Sequence, residues 1–313
     1  MRIDMHQHLW SEPLVAALAQ RSVAPCIRRD GQAWRLRLPA EQPCLIDVAG
    51  DEPLHRANLL AIDGVDGALI ALSTALGVEG LAPDEADELL AAYEDGVSAL
   101  PREFGAWAAA SLIDVDPARL DAALARGAAG LCLPSAALST RFGLDRVGLL
   151  LERLERTGAP LFVHPGPDPW GAPVQTIERR PGWWPAMTDY VASMNEAWHM
   201  FVAHGRRAHP RLRVVFAMLA GGAPLHLERL AARGGPIEDV VDPDLFYDTS
   251  SYGARMIDAM VRVVGIDQLV HGSDRPVAAP FAPPGPLGEA AWRAMSETNP
   301  GRLLPAGGVA VAA

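Results

Sequence analysis

The chain has 313 residues, is 50% hydrophobic, and carries a formal charge of −11 from 27 Lys and Arg against 38 Asp and Glu. That length and apolar content suit either two ordinary domains or one large α/β barrel, and the negative balance argues against nucleic acid or an anionic membrane surface as the main partner. Cys26, Cys44 and Cys132 are too few and too scattered for a disulfide framework or a Cys-based zinc site. The start, "MRIDMHQH", has no charged and then apolar leader, and no apolar run approaches the roughly 18 residues of a membrane span. The expected location is the cytoplasm and the expected partner a small molecule.

Taken in order, apolar runs predict strands at "RIDMH" (2–6), "GALIALS" (67–73), "FGAWAAA" (104–110), "AAGLCLP" (128–134), "PLFVHPG" (160–166), "LRVVFAML" (212–219), "LFYDTSS" (245–251) and "QLVHGSD" (268–274). They are near-continuous rather than alternating, as in a parallel sheet buried on both faces. Helical patterns lie between them, among them "PDEADELLAAYEDGVSAL", "PARLDAALARG", "DRVGLLLERLERTG", one long run from Trp183 to His209, and "GARMIDAMVRVVG". Several open on Pro or Asp and close on Gly. Strand and helix in eightfold alternation predict a (β/α)8 TIM barrel spanning 1–313 as a single domain, with a doubly wound sheet as the rival. Residues 9–52 interrupt the pattern before the helix "EPLHRANLLAIDG", and "CIRRDGQAWRLRL" within them predicts a small β-hairpin turning at Asp30-Gly31. The segments 276–286 and 305–313, rich in Pro and Gly, read as a surface loop and a frayed tail.

The polar residues that end the strands carry the chemistry. On a strand alternate residues share a face, so His6 and His8 point the same way. Alone, an H-x-H at a strand end reads as well as a solvated pair. His164 ends the fifth run and Asp274 the eighth, and neutral nitrogen with anionic oxygen suits zinc or another borderline divalent ion. All four map to one rim of the barrel.

These motifs, "HQH", "LFVHPG", "LFYDTSS", "GSDRP" and the late "ETNPGRLL", resemble the amidohydrolase superfamily, and within it the group of aminocarboxymuconate semialdehyde decarboxylase-like enzymes. The resemblance spans the chain and implies that His6, His8, His164 and Asp274 hold one divalent metal, usually zinc, with Mn2+ as the other candidate. One departure stands out. The group usually has a histidine at the end of the sixth strand, where "FAMLAGGAP" puts Met218. A thioether neither takes up nor delivers a proton, which leaves Asp274 as the expected general base. His199, His204, His209 and His226 lie on helices or at the wrong strand end, and His271 faces away from Asp274; packing roles are expected for all five.

The expected reaction is hydrolysis of a small ester, lactone or amide by a metal-bound water with Asp274 as base. The alternatives are non-oxidative decarboxylation of an aromatic or unsaturated acid, and a barrel that binds metal or ligand without turnover. Trp10 and Trp184, with Trp170 and Trp183, offer faces to an aromatic or conjugated carboxylate, unless they only pack loops. Arg275 is the first candidate to clamp a carboxylate, ahead of Arg141, Arg179 and Arg180, unless it pairs with a neighbouring acid. A homodimer is the candidate assembly.

Overall fold

The computed structural model describes residues 1–171, 181–235, 242–278 and 287–305. The strands in chain order are β1 (Ile3–Gln7), β2 (Cys26–Asp30), β3 (Ala33–Arg37), β4 (Cys44–Ile46), β5 (Gly67–Ile70), β6 (Phe104–Ala106), β7 (Leu131–Pro134), β8 (Leu161–His164), β9 (Val214–Phe216), β10 (Leu245–Asp248) and β11 (Leu269–Val270). Eight of these, β1 and β5 to β11, pair in parallel as β1-β5-β6 and β7-β8-β9-β10-β11. Two parallel bridges, Ala108 to Leu131 and Gln7 to Arg275, join the two runs into a ring. At the second seam the Met5 amide donates to the His271 carbonyl (2.9 Å) and the Asp274 amide to that of His6 (2.9 Å). The barrel is closed, so among the described residues none of its eight strands leaves an unpaired edge.

The strands are apolar on both faces because one face lines the barrel and the other meets helices; every residue of β1 and of β5, β7, β8, β9, β10 and β11 is buried. Inside, Phe162 stacks on Trp107 (centroids 5.0 Å apart) and meets the His6 ring edge-on (4.9 Å), so a dry aromatic floor lies directly beneath the polar rim. The outer helices follow their sequence signals. Pro53–Ile62, Pro83–Ser98 and Pro117–Ala125 begin on proline, and Arg141–Thr157 is capped by Thr140, whose Oγ1 accepts from the Gly143 amide (3.0 Å). That last helix buries Leu144, Val147, Leu151 and Leu154, one stripe at helical spacing, and ends at Gly158 with φ +71°.

Two segments differ in detail from the expectation. Residues 9–52 hold a helix, Glu12–Gln20, and a three-stranded antiparallel sheet, β2-β3-β4. The long run from Trp183 breaks at Thr188 (φ −120°, ψ −60°) into a short turn, Trp184–Met187, and the helix Asp189–Met200, which continues through a wide turn at Phe201–Gly205. The 305–313 tail beyond Pro305, and residues 279–286 of the expected surface loop, lie outside the described residues.

Candidate metal centre

His6 and His8 stand on and just past β1, His164 closes β8, and Asp274 follows β11, so each side chain is delivered to the carboxyl end of its strand. Their donor atoms lie within 4.8 Å of one another and all four residues are buried. His8 Nε2 is 3.2 Å from both His6 Nε2 and His164 Nε2, and Asp274 Oδ1 is 3.5 Å from His6 Nε2 and 3.3 Å from His8 Nε2. The three rings are mutually perpendicular, with interplanar angles of 87–89°.

Each ring is held by its other nitrogen. His6 Nδ1 faces Asp248 Oδ2 (2.7 Å), His8 Nδ1 the Ala71 carbonyl (2.9 Å), and His164 Nδ1 the Pro165 carbonyl (2.9 Å) and Thr74 Oγ1 (2.8 Å). With Nδ1 donating, the lone pair of every ring sits on Nε2 and points to the shared centre. Asp248 is itself fixed, because its Oδ1 accepts from the amides of Met218 (2.9 Å) and Ser250 (3.0 Å) and from Ser250 Oγ (2.5 Å). Gly272 makes room for this pairing: a Cβ there would come 2.9 Å from both the Asp248 carboxyl and the His6 Cβ.

Two carboxylates beside three clustered rings favour positive charge at the centre, and the electrostatics register it. Burial alone would lower His6, but Asp248 and Asp274 outweigh it and push the ring up to about 9. Burial, with the charges of His6 and His8, drives His164 well down. Burial works to raise Asp274, yet His6, His8 and His164 hold it at about 2. Asp274 Oδ1 is buried with no hydrogen-bond partner among the described residues. A nitrogen-rich, preoriented cage with an orphaned anionic oxygen fits a divalent cation.

The remaining sequence candidates are not among the cluster's donor residues. Arg275 spends its fork on Asp63 (2.6 and 2.7 Å), the structural pairing that competed with a role as substrate clamp. Trp10 is 8% exposed, in the core, with its amide on Asp51. Trp170 donates from Nε1 to the Leu112 carbonyl and packs on Phe142. Trp184 is half-buried beside the exposed Trp183, centroids 5.6 Å apart. Arg141 lies beside His204 (3.4 Å) on the outer wall, and Arg179 and Arg180 lie outside the described residues. His271 packs on Trp292, His199 bonds the Asn195 carbonyl, and His209 lies 3.8 Å from Glu155. Asp248 and Thr74 had been given no role. Asp248 stands at the same strand-end position as His164, which is the signal that could have found it.

None of the protein-family models compared with the sequence matches it, and no curated protein matches it. Solved structures do. One described as an amidohydrolase aligns with TM-score 0.67 at 16% identity, over 97% of this chain and 99% of its own. A 5-carboxyvanillate decarboxylase from Sphingomonas paucimobilis aligns with TM-score 0.66 at 20% identity, over 96% and 98%. The chain has the amidohydrolase barrel fold. A second 5-carboxyvanillate decarboxylase, from Novosphingobium aromaticivorans with bound manganese and 3-methoxy-4-hydroxy-5-nitrobenzoic acid, gives TM-score 0.70 at 16% identity, over 97% and 96%.

The hydrolytic expectation is corrected by these likenesses, in which decarboxylases recur. A cation cage with an adjoining carboxylate suits hydrolysis, but the same donor set serves either reaction and so does not select it. Among the described residues no helix is long and apolar enough to cross a membrane.

Proposed function

We propose that the chain is a single-domain, metal-dependent carboxy-lyase that removes CO2 without oxidation from an aromatic or unsaturated carboxylic acid. The convergence of three preoriented imidazole Nε2 atoms and the orphaned Asp274 Oδ1 supports the metal, and the observation that carries the choice of carboxy-lyase is the recurrence of decarboxylases among the solved structures with this fold. His6, His8, His164 and Asp274 would hold one divalent ion. Three nitrogens and one carboxylate favour zinc, while a similar structure carries manganese; metal analysis of the purified protein decides between them. When bound, the ion would supply positive charge for the substrate's carboxylate and its neighbouring oxygen.

The protein's own groups do the rest. Asp248, the Ala71 carbonyl and the Pro165 carbonyl keep the three rings aimed. The floor of Phe162 and Trp107 excludes water from below. Loss of CO2 leaves an electron pair on carbon that must take up a proton. Met218 cannot provide it, so Asp274 is assigned the relay, through the carboxylate oxygen that does not face the cluster: it takes a proton transiently from solvent or a substrate hydroxyl and passes it to that carbon. Trp184 is retained as the stacking candidate for a flat ring.

The test is product analysis on a panel of hydroxybenzoates and muconate-type acids with zinc or manganese supplied. The expected result is one CO2 per substrate consumed and a product bearing hydrogen at the former carboxyl position. Turnover of none of the acids with either metal overturns the reading.

A further inference from the structure

Above the metal-ligand cluster, the inserted segment and the helix Asp189–Met200 meet through one hydrogen bond: the Tyr190 hydroxyl donates to the Glu41 carboxyl, across 149 positions of chain. Their place follows from the neighbours. Pro39 lies against Gly77, where a Cβ would be 3.1 Å from its Cγ and 3.3 Å from that of Pro167. Gly77 is three residues past Thr74, which bonds His164, and Pro167 is three residues past His164 itself. The helix carrying Tyr190 packs on the turns that follow β7 and β9: Ser193 Oγ lies 2.5 Å from Ser135 Oγ, and Asn195 Nδ2 donates to the Gly221 carbonyl (2.9 Å). Both contacts are at the carboxyl ends of the strands, so Glu41 and Tyr190 span the mouth over the cluster. The Asp274 charge reaches Tyr190 and, after burial and Glu41, helps push its hydroxyl up.

The chemistry of the pair is one-sided. With its proton committed to Glu41, Tyr190 can only accept a further hydrogen bond, and Glu41 retains a second carboxylate oxygen that can only accept. Burial pushes the Glu41 carboxyl up, and the charge acting with it is that of Asp189; the Tyr190 hydrogen bond is the opposing influence. The Glu41–Tyr190 end therefore presents acceptors and negative charge, opposite the end where the ligand cluster would hold a cation.

We propose that Glu41 and Tyr190 determine specificity, favouring an aromatic acid with one carboxylate at the metal-ligand end and a hydroxyl or amino donor at the far end of the ring, and disfavouring a second carboxylate there. A half-buried acceptor pair rewards a ligand that brings it a donor and repels one bearing an anion. The inference rests on the carboxy-lyase reading for the orientation of the acid.

The experiment is calorimetric binding of 4-hydroxybenzoate, 4-methoxybenzoate and benzene-1,4-dicarboxylate to the manganese-supplied protein, for the natural sequence, Glu41→Gln and Tyr190→Phe. The natural sequence should bind the hydroxy acid at least about tenfold more tightly than either other ligand. Glu41→Gln should bring the dicarboxylate to within about threefold of it, and Tyr190→Phe, which keeps the Glu41 charge, should preserve the dicarboxylate penalty. The proposal is overturned if the natural sequence binds the dicarboxylate as tightly as the hydroxy acid, binds none of the three, or if a folded Glu41→Gln leaves the ratios unchanged. Should Glu41→Gln fail to fold, the natural sequence and Tyr190→Phe still decide. CO2 release is followed separately: selective binding without it rejects the reaction but keeps the pocket, and release with indifferent binding does the reverse.

Discussion

Asp248 is the residue on which the centre's geometry turns. It is wholly buried, accepts from His6 through one oxygen, and is anchored through the other by two amides and a hydroxyl. Asp248→Asn keeps the shape but offers His6 a neutral amide, which no longer enforces the tautomer that presents Nε2. The expected outcome is a loss of roughly 10–100-fold in divalent-ion affinity, read by competition with a chromogenic chelator. An unchanged affinity would show that His6 needs no such partner. The four donors were legible in the sequence because each ends an apolar run, a pattern that depends only on order along the chain. Their supports were not, since a carbonyl such as that of Ala71 or an amide such as that of Met218 leaves no mark in residue type.

At the scale of elements, the turn after β9 concentrates conformational cost. Met218, Leu219 and Ala220 take φ of 51°, 49° and 54°, and Gly221 and Gly222 continue at 60° and 79°, so five consecutive residues are left-handed, where a side chain costs about 1 kcal/mol or more each. The turn brings the Met218 amide onto Asp248 and gives the Gly221 carbonyl to Asn195 of the mouth helix. Gly221→Ala adds backbone strain and places a Cβ 2.8 Å from the Val191 carbonyl oxygen. It should lower stability by about 1–3 kcal/mol and displace the helix that carries Tyr190; chemical denaturation measures the first, and a denaturation midpoint equal to that of the natural sequence would contradict it. Eight strands were readable because burial on both faces imposes a continuous apolar signature. The break at Thr188 was not, because the helical pattern runs through it without a proline or glycine at that position. The left-handed turn announces itself only by Gly221 and Gly222, and nothing in "MLA" (218–220) signals that ordinary side chains share the conformation.

For the molecule as a whole, stability should depend on pH through a group to which the mechanism assigns no role. Glu79, in the turn after β5, is 1% exposed, neither carboxyl oxygen has a hydrogen-bond partner among the described residues, and burial pushes it from 4.5 up to about 8. The native state then keeps a proton that the unfolded chain has released, so this contribution is complete below about pH 4.5 and is lost as pH rises through about 8. His6, pushed up to about 9 in the ion-free protein, acts in the same direction, so the measurement is made with divalent ion saturating. Thermal midpoints of the natural sequence should fall from pH 5 to pH 9, and Glu79→Gln, which has no proton to lose, should fall less and cross above it at the alkaline end. Parallel curves would exclude Glu79 as the source. Ring closure has a further consequence, for the order in which the protein matures. His6 and Asp274 sit on either side of the seam where the first and last barrel strands meet, and the Ser273 amide reaches across it to Asp4, 269 positions away. That contact is among the slowest kinds to form. Completion of the four-residue cluster is therefore tied to closure of that seam, and a chain cut short before β11 would have three imidazoles without the carboxylate that completes it.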